Sequence, residues 1–160
     1  MSLIALCRNI VVTKKSFGPF YKISVHFGES GGPLLGETDG FTFAPLELLH
    51  CDTMRIYTKS MKSVTSDLGL GMLGLGVLIA KATFAHGYSS GCRTAQILAI
   101  NDNDETHERL VKYYKRLGFR VVYRVCGDTV ADVPHMLVWG GVGTRMDADI
   151  GRQLIRWKNI

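Results

Sequence analysis

The apolar residues of the first sixty positions come in short runs rich in β-branched and aromatic side chains, with no 3.6-residue recurrence. "LIALCRNIVVT" and "FYKISVHFG" each predict a strand, and "FTFAPLELL" and "CDTMRIYT" predict two more. Between the second and third runs, the glycine-rich "GESGGPLLGETDG" (Gly28 to Gly40) is expected to be a turn or exposed loop.

The pattern changes after residue 60. An uncharged apolar run from Leu68 to Ala80 continues into a segment without breakers, which predicts a long helix from Met72 to Tyr88. "SSGC" stops it, with Gly91 at the C-terminal turn. "TAQILAI" reads as a strand and "NDNDE" as an acidic loop whose Asp104 or Thr106 caps the next helix, "THERLVKYYKRL", which ends at Gly118. "FRVVYRV" and "HMLVWGG" predict the last strands. In "DADIGRQLIRWK", Ile150, Leu154 and Trp157 share one face of a short amphipathic helix.

These elements predict one α/β (α+β) domain over residues 1–160. Residues 1–60 form a β-rich part, 66–140 a core and 144–160 a C-terminal tail. Neither a repeat nor a low-complexity segment divides the chain. With 46% hydrophobic and 21% charged residues the composition is that of a globular protein. The net charge of +5 suits an anionic ligand, but zinc-finger spacing, basic-region heptads and aromatic RNA-binding signatures are all missing, so nucleic acid is not expected as a partner.

Cys7, Cys51, Cys92 and Cys126 include no C-x-x-C pair, and no two of the five histidines stand at i, i+4. The expectation is therefore reduced thiols, no metal and an intracellular, cytoplasmic protein. "MSLIALCRNIVV" lacks the basic flank and cleavage site of a signal peptide, and the Leu68–Ala80 run is too short to span a bilayer. No membrane association is expected.

Candidate chemistry concentrates where the long helix begins. "SDLGLGMLGLG" places glycines at 69, 71, 74 and 76, although each glycine in a helix interior costs about 1 kcal/mol relative to alanine. Either the glycines bare backbone N–H groups for a phosphate, or they let a buried helix pack closely on its neighbours. "GLGMLG" (Gly69 to Gly74) matches the dinucleotide fingerprint G-x-G-x-x-G. However, the first strand-end acid, Asp102, falls well beyond the roughly 20-residue position that the fingerprint requires. "NDNDETHE" alternates acids and amides as a calcium loop does, but His107 and Tyr113 stand where that loop needs glycine and glutamate.

The order of glycine-rich loop, long helix, strand and "LVKYYKRLGFRVV" resembles the GNAT superfamily of acyl-CoA N-acyltransferases. Tyr114, Gly118 and Phe119 match its Tyr-x-x-x-Gly-Phe motif, and Gly74-Leu75-Gly76 align with the end of its pyrophosphate loop. The resemblance implies a single mixed, largely antiparallel sheet of about six to seven strands with two main helices. It also implies acetyl-CoA as co-substrate, a small-molecule or peptide amine acceptor, and a pyrophosphate held by Gly71, Met72, Leu73, Gly74, Leu75 and Gly76.

In that reading the pantetheine arm lies between two splayed strands, near Ile56, Tyr57 and Thr58 on one side and Ala99, Ile100 and Asn101 on the other. Tyr114 donates a proton to the departing thiolate, and Lys115, in the acid-free run Arg109–Arg124, meets a coenzyme phosphate. His50, Asp52 and Glu47 lie near the strand that often supplies a general base, and none of them is singled out. The family's polar residue ahead of the loop falls on Gly71 in this register, or on Ser66 if the earlier glycines are used, and the two helices that usually wall the acceptor site are missing from the first 60 residues. That shortened part and the open mouth between the strands favour a homodimer. Two rival readings share these residues: a non-catalytic acyl-CoA-binding module and a small nucleotide-binding domain.

Overall fold

The computed structural model describes residues 3–4, 9–60, 71–126 and 141–158. The chain runs β1 (Leu3–Ile4), β2 (Ile10–Phe17), β3 (Phe20–Phe27), β4 (Leu34–Phe43), a 3-10 turn (Ala44–Leu46), β5 (Leu48–Ile56), α1 (Met72–Ser89), β6 (Thr94–Ile100), α2 (Asp104–Arg116), β7 (Arg120–Val125), β8 (Gly143–Asp149) and α3 (Ile150–Arg156). The strands form one eight-stranded sheet in the order β1-β2-β3-β4-β5-β6-β8-β7. β5 and β6 are parallel and joined through α1, the long connection that a parallel pair needs; the other pairs are antiparallel. This is the expected mixed, largely antiparallel architecture, with a two-residue strand added at one edge.

Several boundaries differ from the sequence reading, each for a local reason. "LIALCRNIVVT" is two strands: the chain turns at Asn9, in the left-handed region at φ 74, and Leu3 pairs back onto Val12. Most of the expected Gly28–Gly40 loop is β4. Its glycines serve close approach, since a Cβ on Gly36 would meet Ile79 Cδ1 at 2.7 Å and one on Gly40 would meet the His50 carbonyl oxygen at 2.0 Å.

"FTFAPLELL" is broken by the 3-10 turn, which ends on Glu47 at φ 52, so β5 starts at Leu48. Asn103, rather than Asp104 or Thr106, caps α2 by accepting the Thr106 N–H at 3.1 Å. The tail contains an unforeseen strand, β8, and Asp149 caps α3 by accepting the Arg152 N–H at 2.8 Å. The strand expected at "HMLVWGG" lies outside the described residues apart from Gly141.

The three α-helices share one layer on one face of the sheet. Phe84 of α1 meets Trp157 just past α3 at 5.4 Å and Phe119 just past α2 at 5.7 Å between ring centroids. Leu75, Ile79 and Ala80 of α1 are buried with Val25, Leu35, Leu49 and Ile97 of the sheet, so the principal core lies between the sheet and this layer. α1 is apolar on nearly all sides because it touches the sheet, α2 and α3 at once. Among the described residues no helix packs on the opposite face, and none is long and apolar enough to cross a membrane.

Candidate active site

β5 and β6 begin together and then part. Their pairing runs only from Leu48 with Thr94 to Cys51 with Ile97. Beyond it β5 stays on β4 as far as Ile56, and β6 stays on β8 as far as Ile100. The split begins at a β-bulge: Gly40 faces Cys51 and Asp39 faces Thr53, so Asp52 is the extra residue. A bulge bends its strand and interrupts the ladder. It also shifts the alternation, so that Leu49 and Cys51 face the helices and, after Asp52, Met54 and Ile56 do. Gly40 makes the crowding tolerable, because any side chain there would strike the β5 backbone.

On the helix side, the split opens into a cleft of about 490 Å³. Met54 and Ile56 from β5, Met72 from α1 and Leu110, Tyr113 and Tyr114 from α2 give it an apolar floor. Arg109, Lys112 and Arg116 stand at its rim, on one face of α2 by their i, i+3, i+7 spacing. Arg109 and Lys112 also pair along the helix with Glu105 and Glu108, both exposed.

The start of α1 borders the same cleft. Gly71 is the N-cap, extended at φ −75 and ψ 175, with no side-chain cap and no acidic residue in the first turn. The Leu75 N–H bonds to the Gly71 carbonyl at 3.1 Å, which leaves the N–H groups of Met72, Leu73 and Gly74 without an acceptor inside the helix. Among the described residues, a Cβ on Gly71 would meet nothing within 4 Å. Among the described residues no side chain caps these N–H groups, and they stand at the positive end of the helix.

Leu75 and Gly76, grouped with that loop in the sequence reading, turn inward and do not line the cleft. Leu75 is in the core, and a Cβ on Gly76 would meet Tyr113 Oη at 1.8 Å. The Tyr113 hydroxyl donates to the Met72 carbonyl at 3.3 Å, tying the first turn of α1 to α2. The packing explanation of the glycine cluster holds at Gly76, whereas Gly71 has open space around it among the described residues.

Tyr114 lines the cleft with 4% of its surface exposed, between the rings of Tyr113 and Phe119 at 5.9 Å each. Burial, with a smaller contribution from Cys51, raises its pKa well above that of a free phenol, so it carries its proton at neutral pH. Cys51 lies at the end of the β5–β6 pairing; burial pushes its thiol up to about 12, and it accepts a hydrogen bond from Tyr21 at 3.3 Å. It is an unreactive core thiol rather than a nucleophile.

The remaining sequence-derived residues scatter. Ile56 lines the cleft, whereas Tyr57 turns its hydroxyl to Glu37 Oε1 at 2.8 Å and Thr58 opens a helical stretch at 58–60. Ala99 is buried, and the Ile100 carbonyl accepts from His107 Nδ1 at 3.1 Å. Asn101 lines a different cavity, beside Asp104, and Lys115 a third, beside Val121. The cleft's cations are instead Arg109, Lys112 and Arg116, which helical spacing groups on one face of α2 without showing what that face meets. The bulge at Asp52 was missed because nothing in the local pattern distinguishes it from regular strand.

On the opposite face, His50 is 1% exposed, stacks on Phe41 at 4.6 Å, and holds Asp52 Oδ1 at 2.9 Å through Nε2. Burial lowers its pKa, against the pull of Asp52. Glu47 lies in the turn before β5, away from this pair.

No family model and no curated protein matches the chain. Among solved structures it is similar to a protein described as an acetyltransferase of the GNAT family from Desulfovibrio desulfuricans. Their TM-score is 0.52 at 13% identity, over 82% of this chain and 70% of that one. It is also similar to nourseothricin acetyltransferase, with a TM-score of 0.54 at 11% identity over 91% of this chain and 86% of the other. The chain shares the GNAT fold of these structures, at low sequence identity.

Proposed function

We propose that the protein is an N-acyltransferase that moves an acetyl group from acetyl-CoA to a primary amine. The observation that carries this reading is the convergence of three features on one cleft: the parted strands, the N-terminus of α1 and the buried, protonated Tyr114. Acetyl-CoA supplies the acyl group in activated form, as a thioester. The N–H groups of Met72, Leu73 and Gly74 hold its pyrophosphate, and Arg109, Lys112 and Arg116 neutralise the remaining phosphate charge. Met54, Ile56 and Leu110 pack the apolar part of the arm and exclude water.

Tyr114 places its hydroxyl proton where a thiolate leaves. Its raised pKa keeps the proton available at neutral pH and makes it a hydrogen-bond donor that transfers the proton only to a strongly basic sulfur. An amine attacks the thioester carbonyl as its free base: the C–N bond forms as the C–S bond breaks, the thiolate takes the Tyr114 proton, and the amine's surplus proton passes to solvent, which restores that of Tyr114, so the products are an amide and a free thiol.

A thermal-shift titration with acetyl-CoA, free CoA and NAD tests the coenzyme site, since a ligand at 100 times its Kd stabilises the fold by about 2.7 kcal/mol. Both CoA forms are expected to shift the transition and NAD to leave it in place. A shift with NAD alone overturns the reading. A shift with CoA but no turnover on any amine supports a binding module on the same fold.

A further inference from the structure

Tyr113 lines the coenzyme cleft beside Tyr114, yet the proposed transfer step does not use its hydroxyl. That hydroxyl leaves α2 and donates to the Met72 carbonyl at 3.3 Å, in the first turn of α1. Burial pushes its pKa up to about 12, so it keeps its proton, and with it the donor role, throughout the neutral range. The approach depends on Gly76, one turn along α1 from Met72. A Cβ there would meet Tyr113 Oη at 1.8 Å and Cζ at 2.8 Å, so the missing side chain is the opening through which Tyr113 reaches α1.

The turn it reaches has few other anchors among the described residues. Met72 is 51% and Leu73 40% exposed, and no side chain caps at Gly71, whereas Leu75 is already in the core. Helix ends fray, so a grip from outside the helix changes how well the first turn is ordered. The Met72 carbonyl and the Leu73 N–H belong to one planar peptide group and point in opposite directions. A hydrogen bond to the carbonyl therefore fixes the direction of that N–H, and by polarising the peptide makes it a better donor. Because the bond comes from α2, the N–H is fixed relative to the helix that carries Tyr114 and the rim cations Arg109, Lys112 and Arg116.

We propose that Tyr113 is a positioning residue for the coenzyme: through the Met72 carbonyl it aims the Leu73 N–H at the pyrophosphate and holds it in register with Tyr114. This inference rests on the acyltransferase reading, in which the N–H groups of Met72, Leu73 and Gly74 receive that group. The adjacent tyrosines divide the work, Tyr114 meeting the thiolate and Tyr113 setting where the nucleotide end of the coenzyme lies. A tyrosine that only packs needs its ring; a tyrosine that positions needs its oxygen.

The test is a calorimetric titration of CoA and of dephospho-CoA into the full chain, using the parent, Tyr113→Phe, Gly76→Ala and the double variant. Each is held well below its melting temperature, where a change in stability alone leaves Kd unmoved. Tyr113→Phe keeps the ring and removes the oxygen, and is expected to weaken both nucleotides about fivefold. The equal factor marks the pyrophosphate, which both carry, rather than the 3′-phosphate, which dephospho-CoA lacks. Gly76→Ala displaces the hydroxyl end of Tyr113 and should weaken both at least as much. The double variant should bind within about twofold of Gly76→Ala, because both changes remove the same bond.

Parent affinity in Tyr113→Phe overturns the inference. So does a loss confined to CoA, which places the effect at the 3′-phosphate, and so do losses that multiply in the double variant. If the parent binds neither nucleotide, the acyltransferase reading itself falls, a result that no difference between variants can mimic.

Discussion

The two faces of the central sheet are built by opposite rules. On the helix side, Phe84, Phe119 and Trp157 interlock with Ile79 and Leu117 out of contact with water. On the other side, Phe17, Phe20 and Phe43 are exposed and polar pairs such as Lys22 with Glu37 and Arg145 with Asp147 stand among the strands. The same residue type is thus packed in the core on one face and exposed on the other. The difference lies in what the side chains touch: packed neighbours on the helix side, solvent at Phe17 and Phe20 on the other.

The most severe way to sharpen the contrast is Phe84→Ala, which opens a cavity at the junction of α1, α2 and α3. A loss of about 3–5 kcal/mol is expected in chemical denaturation, and a loss under 1 kcal/mol would show that the helix layer is loosely packed. Tyr114→Phe removes one oxygen from that side. Turnover is expected to fall about 100-fold, with acetyl-CoA affinity near its starting value. Unchanged turnover would strip Tyr114 of its role.

A third prediction concerns pH. Burial lowers the pKa of His50, and of His86 with help from Lys14. Unfolded histidine takes up a proton near pH 6.5, whereas these two resist until lower pH. The unfolded state therefore binds more protons in that interval, and stability should fall as pH drops from about 7 through it. His50→Asn should flatten part of this slope; an identical slope would place the titration elsewhere. The smallest effect is expected for Phe17→Ser at the hairpin tip, within about 0.5 kcal/mol of the parent. A larger loss would mean that this face is covered after all, and the contrast would break.

Legibility in the sequence followed the same division. α1, α2 and the Gly118 turn were visible because local signals agree with tertiary demand: an apolar run, an acidic first turn, and a glycine at φ 93. β4 was misread because Gly36 and Gly40 look like turn residues, while their reason lies across the sheet in Ile79 and the His50 backbone. Within the cleft, Tyr114 and the glycine terminus were legible from motif order. Lys115 was chosen over Arg109, Lys112 and Arg116 because a run of cations does not reveal which face meets the cleft.

The sequence alone determined the succession of α1, β6, α2 and β7, the strand-rich first half, and the positive balance of charge. These are properties of neighbouring residues: periodicity, propensity and capping. Only the tertiary structure decided that β5 slips by one residue at Asp52, that Gly76 serves packing while Gly71 leaves open space, and that Phe17, Phe20, Phe41 and His50 form one line. Each of those depends on registers between segments far apart in the chain, set by the whole sheet as it closes over its core.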